Sequence, residues 1–548
     1  MGSVTKILSV DEMRAVEKAA DASGLTYAAM MENAGRAVAA AIVERLNDVN
    51  GKRVAILVGV GNNGGDGLVA GHYLAEAGAQ VGVYLAGARA EDDANLARLR
   101  ARGGLVAEAE ADQRARVLRN LMATADVVVD ALLGTGFKLP LRGAVKQVLT
   151  TAAKALEGRG SPPFVVAVDC PSGMDCDSGQ IADEALAADL TVTLGAGKAG
   201  LFHFPGAGRV GDLIVADIGV PEAQPELAGA AVELASAVAL SGWLPSRPRD
   251  AHKGTFGRAV VVAGSVNFPG AAVLAGAAAY RVGAGLVTLG VPSVIHSMAA
   301  AQLPEATWIV LPHELGVLAG AAADVLHEEL GATEALLLGP GFGQDPATAA
   351  FLARLLGAAE VSHRGRIGFV PSEGEAGRPG QHLPPTVVDA DGLKLLVKVE
   401  DWPARLAAPA VLTPHPGEMS VLTGVAVPDI QSDRIGTARR WADTWGHVVV
   451  LKGAFTVVAA PGGRAVVMPF ATPALARAGT GDVLAGAIVG FLAQGCPAFE
   501  AAALGAFVHG RAGELAAAAL GTSASVMAGD VVDALPEAMA ELAAAARA

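Results

Sequence analysis

The stretch LARAGTGDVLAGAIVGFLAQG, Leu475 to Gly495, has the composition of a site where a phosphate could meet a proton acceptor. Gly479 and Gly481 flank Thr480, and a loop with two residues lacking Cβ lets a ligand approach the backbone closely. Asp482 follows at once, and Leu484, Ile488, Phe491 and Leu492 then recur at helical spacing. Free N–H groups at the start of such a helix attract anions, most often phosphate. A carboxylate at that point would repel phosphate, so Asp482 suits a different role, that of taking a proton from a hydroxyl that reacts at phosphorus. The same residues also fit a capped core helix with Asp482 in its first turn.

A second candidate lies near the other end of the chain. RVAILVGV, Arg53 to Val60, is a continuous apolar run typical of a buried parallel strand, and it feeds into GVGNNGGDG, Gly59 to Gly67. A glycine loop is expected there, with a helix from near Leu68 to Ala77. Gly59, Gly61 and Gly64 formally make GxGxxG, so a dinucleotide-binding dehydrogenase is a rival reading. The next strand, however, ends YLAGAR, without the acidic residue that would hold a ribose. In a parallel sheet all carboxyl ends share one edge. Asn62, Asn63 and Asp66 after the first strand, Asp130 ending VVVD, and Asp169 and Ser172 after FVVAVD would therefore meet in one crevice. Amide, hydroxyl and carboxylate oxygens suit a hard cation, and a carboxylate among them could transfer protons. Singly, Asp130 and Asp169 also fit strand-end turns.

These groups need a scaffold. At 548 residues the chain is expected to form two to four domains. Apolar residues make up 52%, largely alanine and glycine, with aromatics at only 4%. No apolar run is long enough to span a bilayer, and the first residues lack a signal-peptide pattern. The net charge of −14, without a basic stripe, argues against nucleic acid as a partner. Cys170, Cys176 and Cys496 form no CxxC pair, which fits reduced thiols in the cytoplasm.

Ser9 and Glu12 fit a capping box for a helix starting near Val10, and a second helix is expected from Thr26 to Leu46. Gln80–Gly87, Ala125–Gly134 and Pro163–Gly173 continue a strand–helix alternation, which predicts an α/β doubly wound sheet. Pro221 to Asp250 is proline-bounded and alanine-rich, the texture of a linker. The expected divisions are thus 1–222, a join over 223–250, and 251–548. In the last of these, Arg258–Ser265 reads as a strand, LLLGPGFG and VVDADGL end others, and VLTPHPGE sets His415 and Glu418 between strand and helix. Val448–Ala459 reads as strand, turn and strand, with Lys452 at the turn. Val361–Leu383, rich in Gly, Pro and charge, reads as a surface insertion.

GVGNNGGDG, VDALLGTG and VDCPSGMDCDSG resemble the NAD(P)H-hydrate epimerase domain, over most of Met1 to Val220. GSVNFPGA, LGPGFG, VDADGL, LTPHPGE, KGAFT and RAGTGD resemble, in order, the ADP-dependent NAD(P)H-hydrate dehydratases of the ribokinase-like fold. Together they resemble the bifunctional nicotinamide nucleotide repair enzymes. The resemblance implies a Rossmann-like αβα sandwich followed by a ribokinase-like one. It implies hydrate binding in the first domain by Asn62, Asn63, Gly64, Gly65 and Asp66, by Gly134, Thr135, Gly136, Phe137, Lys138, Leu139 and Pro140, and by Asp169, which would also be catalytic. It implies potassium at Asn63, Asp130 and Ser172. In the second domain it implies Ala271, Gly341, His415 and Asp482 on the hydrate, with Asp482 catalytic. Lys452, Gly453, Ala454, Phe455, Thr456 and Gly481 would hold the nucleotide. Mg2+ would accompany ADP, and the expected partners are NADHX, NADPHX and ADP in a cytoplasmic homo-oligomer, with neither membrane nor nucleic acid. A vitamin-precursor kinase is the rival for the second half, and a non-catalytic binding module for the first.

Overall fold

The computed structural model describes residues 5–358 and 383–547. The expected insertion therefore lies outside the described residues, except for Leu383. The chain divides into two compact units, Thr5–Val232 and Glu233–Ala548. No helix among the described residues is long and apolar enough to cross a membrane.

The first unit is built on seven parallel strands, β1 (Arg53–Val58), β2 (Gln80–Leu85), β3 (Leu105–Glu108), β4 (Val127–Ala131), β5 (Phe164–Val168), β6 (Leu190–Leu194) and β7 (Asp212–Ala216). Their spatial order is β3-β2-β1-β4-β5-β6-β7, all neighbours parallel. The order reverses between β1 and β4, and a crevice opens at such a switch. Three helices matter for that crevice: α1 (Val10–Ala22), α2 (Tyr27–Leu46) and α3 (Asn62–Glu76). The capping box at the start of α1 is present, with Ser9 and Glu12 each bonding the other's backbone N–H.

One expectation is corrected here. α3 begins at Asn62 and not near Leu68, so the asparagine and glycine run is already helical. The glycines serve packing more than loop freedom. A Cβ on Gly67 would lie 2.4 Å from Ala131 Cβ, one on Gly65 would lie 2.6 Å from Met31 Sδ, and one on Gly59 would meet the Leu132 carbonyl. Only a helix stripped of side chains on that face can press this closely onto β4 and α2.

The second unit holds a ten-stranded sheet. Its strands are β8 (Val232–Leu234), β9 (Arg258–Val262), β10 (Leu286–Pro292), β11 (Thr307–Leu311), β12 (Ala335–Leu338), β13 (Thr386–Val388), β14 (Val411–Leu412), β15 (Val448–Leu451), β16 (Val457–Ala459) and β17 (Ala465–Val467). Spatially they run β8-β17-β16-β15-β14-β13-β12-β9-β10-β11. The strands from β15 to β11 are parallel, while β16 and β17 form an antiparallel extension. The stretch read as a linker is structured: β8 starts the sheet, Ala235 N–H donates to Val467 O at 2.9 Å, and Leu240 is buried in the core.

α4 (Gly270–Arg281), α5 (Pro416–Thr423), α6 (Thr480–Ala493), α7 (Ala498–Leu520) and α8 (Ala528–Ala545) clothe this sheet. α6 is buried from Val483 through Ala493. Its glycines fix that position. A Cβ on Gly486 would lie 2.2 Å from Ala275 O of α4, one on Gly490 would lie 2.5 Å from Val282 Cγ2, and one on Gly505 of α7 would lie 2.6 Å from Ile488 Cγ1. Contacts advance along α4 and α6 together, so the two run parallel and start at the same sheet edge. The alanine and glycine excess is thus the material of close helix packing.

Two outcomes follow for folding. Gly486→Ala must push α4 away and should cost roughly 1–3 kcal/mol, the usual range for overpacking, read as a lower urea midpoint for the second unit. We propose that cutting the chain between Ala231 and Val232 yields two soluble fragments with cooperative melts. A cut after Glu222 should give a less stable first fragment, because it removes the Gln224 bond to Val16 O and the Ala230 carbonyl that accepts from Lys6.

Candidate functional site

In the first unit the crevice lies where the geometry of a parallel sheet predicts. Asn62, Asn63 and Asp66 come from α3, residues 134–138 from the loop after β4, and Asp169 from the turn after β5. They border one cleft of about 690 Å3, together with Arg14, Glu17 and Tyr27. Gly64 and Gly65 face inward against Gly59 O and Met31. Leu139 and Pro140 stand at the exposed end of the same loop, outside the cleft lining. Lys138 Nζ is ion-paired with Asp175 at 3.0 Å and Asp177 at 3.3 Å.

Asp130 and Ser172 lie beneath the cleft and are fully buried. Ser172 donates its hydroxyl to Asp130 Oδ1 at 2.6 Å and its N–H to Oδ2 at 2.9 Å. Leu133 N–H donates to Ser172 Oγ at 2.9 Å, and Asn63 Nδ2 donates to Leu133 O at 3.0 Å. Every one of these partners is neutral. Burial accordingly pushes the Asp130 carboxyl upward, against the lowering effect of the Ser172 and Leu132 donors. A dry carboxylate among amide, hydroxyl and carbonyl oxygens has the donor chemistry of a hard-cation site.

Asp169 is held differently. Its φ of 66° is left-handed, a strained conformation for a residue with Cβ. Its Oδ1 accepts from Lys198 Nζ at 2.5 Å, Leu194 N–H at 3.2 Å and Thr193 Oγ1 at 3.3 Å. Lys198 is only 1% exposed and also donates to Leu194 O at 2.7 Å. Sequence reasoning missed this lysine. The signal was there, since GAGKAG directly follows the carboxyl end of a parallel strand, where a lysine faces the crevice. Asp66 is buried beside this pair, and burial followed by the charges of Asp169 and Glu17 pushes its carboxyl well above the usual range.

In the second unit Gly479 caps α6 with φ 89°, and Thr480 Oγ1 donates to Leu475 O at 2.8 Å. Asp482 is therefore in the first turn. Its carboxyl is pushed up to about 7, chiefly by burial and then by the Asp389 charge, with Lys452 opposing. Lys452 follows β15 in a turn whose Gly453 and Ala454 are exposed, while its own side chain is 16% exposed. Its Nζ pairs with Asp389 Oδ1 at 2.6 Å and lies 3.6 Å from Glu418. Arg434, also unforeseen, steadies that turn by donating to Leu451 O at 2.9 Å and Lys452 O at 3.1 Å. Asp389 is 1% exposed, and its Oδ2 has no hydrogen-bond partner among the described residues.

His415 caps α5: its Nδ1 accepts from Gly417 N–H at 3.0 Å and Glu418 N–H at 3.3 Å. Burial holds its imidazole below the ordinary histidine range despite Glu418. A cavity of about 480 Å3 is bordered by His415, Lys452, Gly453, Ala454, Thr456 and Gly481, with Phe470 and His509 behind. Phe455 is not in that lining; it turns at φ 53° and bonds through its N–H to Phe470 O. Ala271, Gly341 and Asp482 are not in that lining either, though Ala271 and Gly341 are brought together, where a Cβ on Gly341 would lie 2.8 Å from Ala271 Cβ. The loop of Gly341 is tied to the acidic turn, since Gly343 N–H donates to Asp391 Oδ2 at 3.0 Å. Among the described residues no three of His, Cys, Asp or Glu are disposed to hold a metal ion.

Comparison with known proteins shows the family to which the chain belongs. Residues 27–200 match the family model described as YjeF-related protein N-terminus. Residues 259–362 and 379–537 match the model described as NAD(P)H-hydrate dehydratase. The bifunctional NAD(P)H-hydrate repair enzyme Nnr of Moorella thermoacetica is 39% identical, over 92% of this chain and 91% of that protein. That of Salinibacter ruber is 37% identical over 98% of this chain and 96% of its own. Among solved structures, an ADP/ATP-dependent NAD(P)H-hydrate dehydratase from Bacillus subtilis is 28% identical, covering 56% of this chain and 98% of that one with a TM-score of 0.43. With both family models matched in order and near-full-length identity of this size, the chain belongs to the bifunctional NAD(P)H-hydrate repair enzymes, carrying an epimerase domain followed by a dehydratase domain.

Proposed function

We propose that the first unit interconverts the R and S forms of NADHX and NADPHX, and that the second dehydrates the S form with ADP, releasing AMP and phosphate. The observation that carries the second half is Asp482: a half-buried carboxylate in the first turn of a helix whose Thr480 and Gly481 border a cavity that Lys452 also lines. Hydroxide is a poor leaving group and phosphate a good one. Asp482 takes the proton as the substrate hydroxyl attacks the terminal phosphorus of ADP. The Gly479–Gly481 backbone and Lys452 stabilise charge on the transferring group. Phosphate then departs, the neighbouring carbon gives up a proton, and the ring double bond is restored.

The turn from Lys452 to Thr456 and Gly481 would hold the nucleotide, and His415, Ala271 and Gly341 the hydrate. Bound Mg2+ would offset the charge of the phosphates opposite Asp389 and Asp391. In the first unit, Asn62 to Asp66 and the loop Gly134 to Pro140 would hold the hydrate, with Asp169 at the reacting carbon. Asn63, Asp130 and Ser172 would hold K+, which supplies the countercharge that the buried Asp130 lacks.

Supplied with ADP and mixed-epimer NADHX, the protein should form AMP, phosphate and NADH in equal amounts; a stable phosphorylated dinucleotide would favour the rival kinase reading. Asp482→Asn should slow dehydration by roughly two to four orders of magnitude, the usual worth of a general base. Because the base works ionised and its carboxyl is held at about 7, wild-type dehydration should rise with pH through that region. Nucleotide binding and epimerisation should survive the substitution.

Asp130→Ala should slow epimerisation and abolish its dependence on KCl, while dehydration by the same preparation stays at the wild-type rate. Parallel loss of both activities, with a lowered melting temperature, would assign Asp130 to the fold alone.

A further inference from the structure

Proton traffic in the first unit is incomplete with the residues described so far. In a hydrated nicotinamide the hydroxyl-bearing carbon is bonded to the ring nitrogen. Inversion can proceed when the nitrogen lone pair expels the hydroxyl as water, which requires a proton on that oxygen. Water then adds to the opposite face of the planar cation and returns a proton. One C–O bond breaks and one forms, and one proton is lent and recovered, so no further reactant is needed. Asp169 is poorly placed to lend it. Its Oδ1 already accepts from Lys198, Leu194 and Thr193, the arrangement of a carboxylate used as an acceptor, suited to facing the cationic ring.

Glu17 has the opposite surroundings. It projects from α1, is half-buried, and makes no hydrogen bond or ion pair with any described residue. It borders the cleft of about 690 Å3 and also an adjoining compartment of about 300 Å3 lined by Met30, Met31 and Ile218. It shares that position with Tyr27, Asn62, Asp66 and Leu194, which border both compartments as well. Resting on the epimerase reading of this unit, we propose that Glu17 is the group that gives the proton to the departing hydroxyl and takes it back from the returning water.

The charged and titratable groups around it are Arg14 on its own helix, Tyr27 at the start of α2, Asp66 on α3, Asp169 after β5 and Lys198 after β6. Burial raises the Glu17 carboxyl, Lys198 and Arg14 work against this, and Asp169 adds to it. Two acidic groups near one carbon are thus set apart, one paired with lysine and one without a partner, which is the pattern of divided acid and base roles. Asp66 borders both compartments as well, but its short side chain is fixed in the second turn of a helix pressed onto β4. Glu17 has the reach to follow a moving water.

The test is steady-state epimerisation of purified R-NADHX by the full-length protein across pH, with the dehydratase rate as internal control. Wild-type kcat should fall on the alkaline side as the acid loses its proton. Glu17→Gln should lower kcat by about 100-fold or more, within the range for general acid catalysis, with KM nearly unchanged and the alkaline fall gone. Glu17→Asp should keep the alkaline fall at a reduced rate, and Asp66→Asn should keep it too. A Glu17→Gln enzyme within about fivefold of wild type, or an alkaline fall removed by Asp66→Asn instead, overturns the assignment while leaving the epimerase reading intact. A wild-type protein that does not interconvert the epimers removes both.

Discussion

Helix-to-backbone distances that no Cβ would permit set the positions of the candidate site residues in both units. In the first, α3 lies on the sheet because Gly67 meets Ala131 and Gly71 meets Ile56, each closer than a side chain allows. In the second, α6 lies on α4 because Gly486 and Gly490 admit its backbone. Glycine within a helix costs roughly 0.5–1 kcal/mol each relative to alanine, so these positions trade helix stability for proximity. What proximity gains is the lie of each helix start. Asn63 and Asp66 hang from the first turns of α3, and Asp482 from the first turn of α6, at the carboxyl edge of a buried sheet. A helix standing one methyl group further off would carry its first turn away from the strand-end aspartates.

Those strand-end aspartates repeat one electrostatic device. Each unit pairs a lysine with a buried aspartate at a strand end: Lys198 with Asp169 at 2.5 Å, and Lys452 with Asp389 at 2.6 Å. Each pair fixes one carboxylate and leaves a neighbouring one without a cation of its own. In the second unit the neighbour is Asp482, raised to about 7. In the first it is Asp66 and, more weakly, Glu17, both raised. Burial alone would neutralise every carboxylate in these pockets, and a lysine for each would leave none able to accept or give a proton near neutrality. One cation among several carboxylates gives groups of both kinds.

The sequence carried most of the architecture because buried parallel strands write themselves as apolar runs, as in RVAILV and VVVDA. Glycines were harder to read. Gly64, Gly65 and Gly67 look like a loop on the page and form a helix, since a missing Cβ signals either freedom or close contact, and only the neighbour decides. The same ambiguity hid the order within 223–250, where Ala235 and Leu240 pack into the core. Asp130, Asp169, Lys452 and Asp482 stood out because carboxylates and lysines at strand ends are chemically conspicuous. Lys198, Arg434 and Glu17 did not. Their significance depends on what lies across a cavity from them, and Glu17 sits on a helix whose spacing announces only amphipathicity.

The rival reading of the first glycine run also finds its answer in contacts. A dinucleotide turn offers its backbone to pyrophosphate and needs a carboxylate at the end of the second strand for the ribose. Here the residue reaching over from beyond β2 is Arg89, whose Nη1 donates to Gly59 O at 2.6 Å and Gly61 O at 3.2 Å, and whose Nε pairs with Asp93 at 2.6 Å. A Cβ on Gly64 would fall 2.8 Å from that guanidinium and 2.1 Å from Gly59 O. The turn is braced by that arginine, and Asn62, Asn63 and Asp66 border the crevice at the ends of β1 and β4. A GxGxxG spelling braced by arginine in this way becomes a rigid ledge, and the side chains of Asn62, Asn63, Asp66 and Asp169 border the crevice beside it.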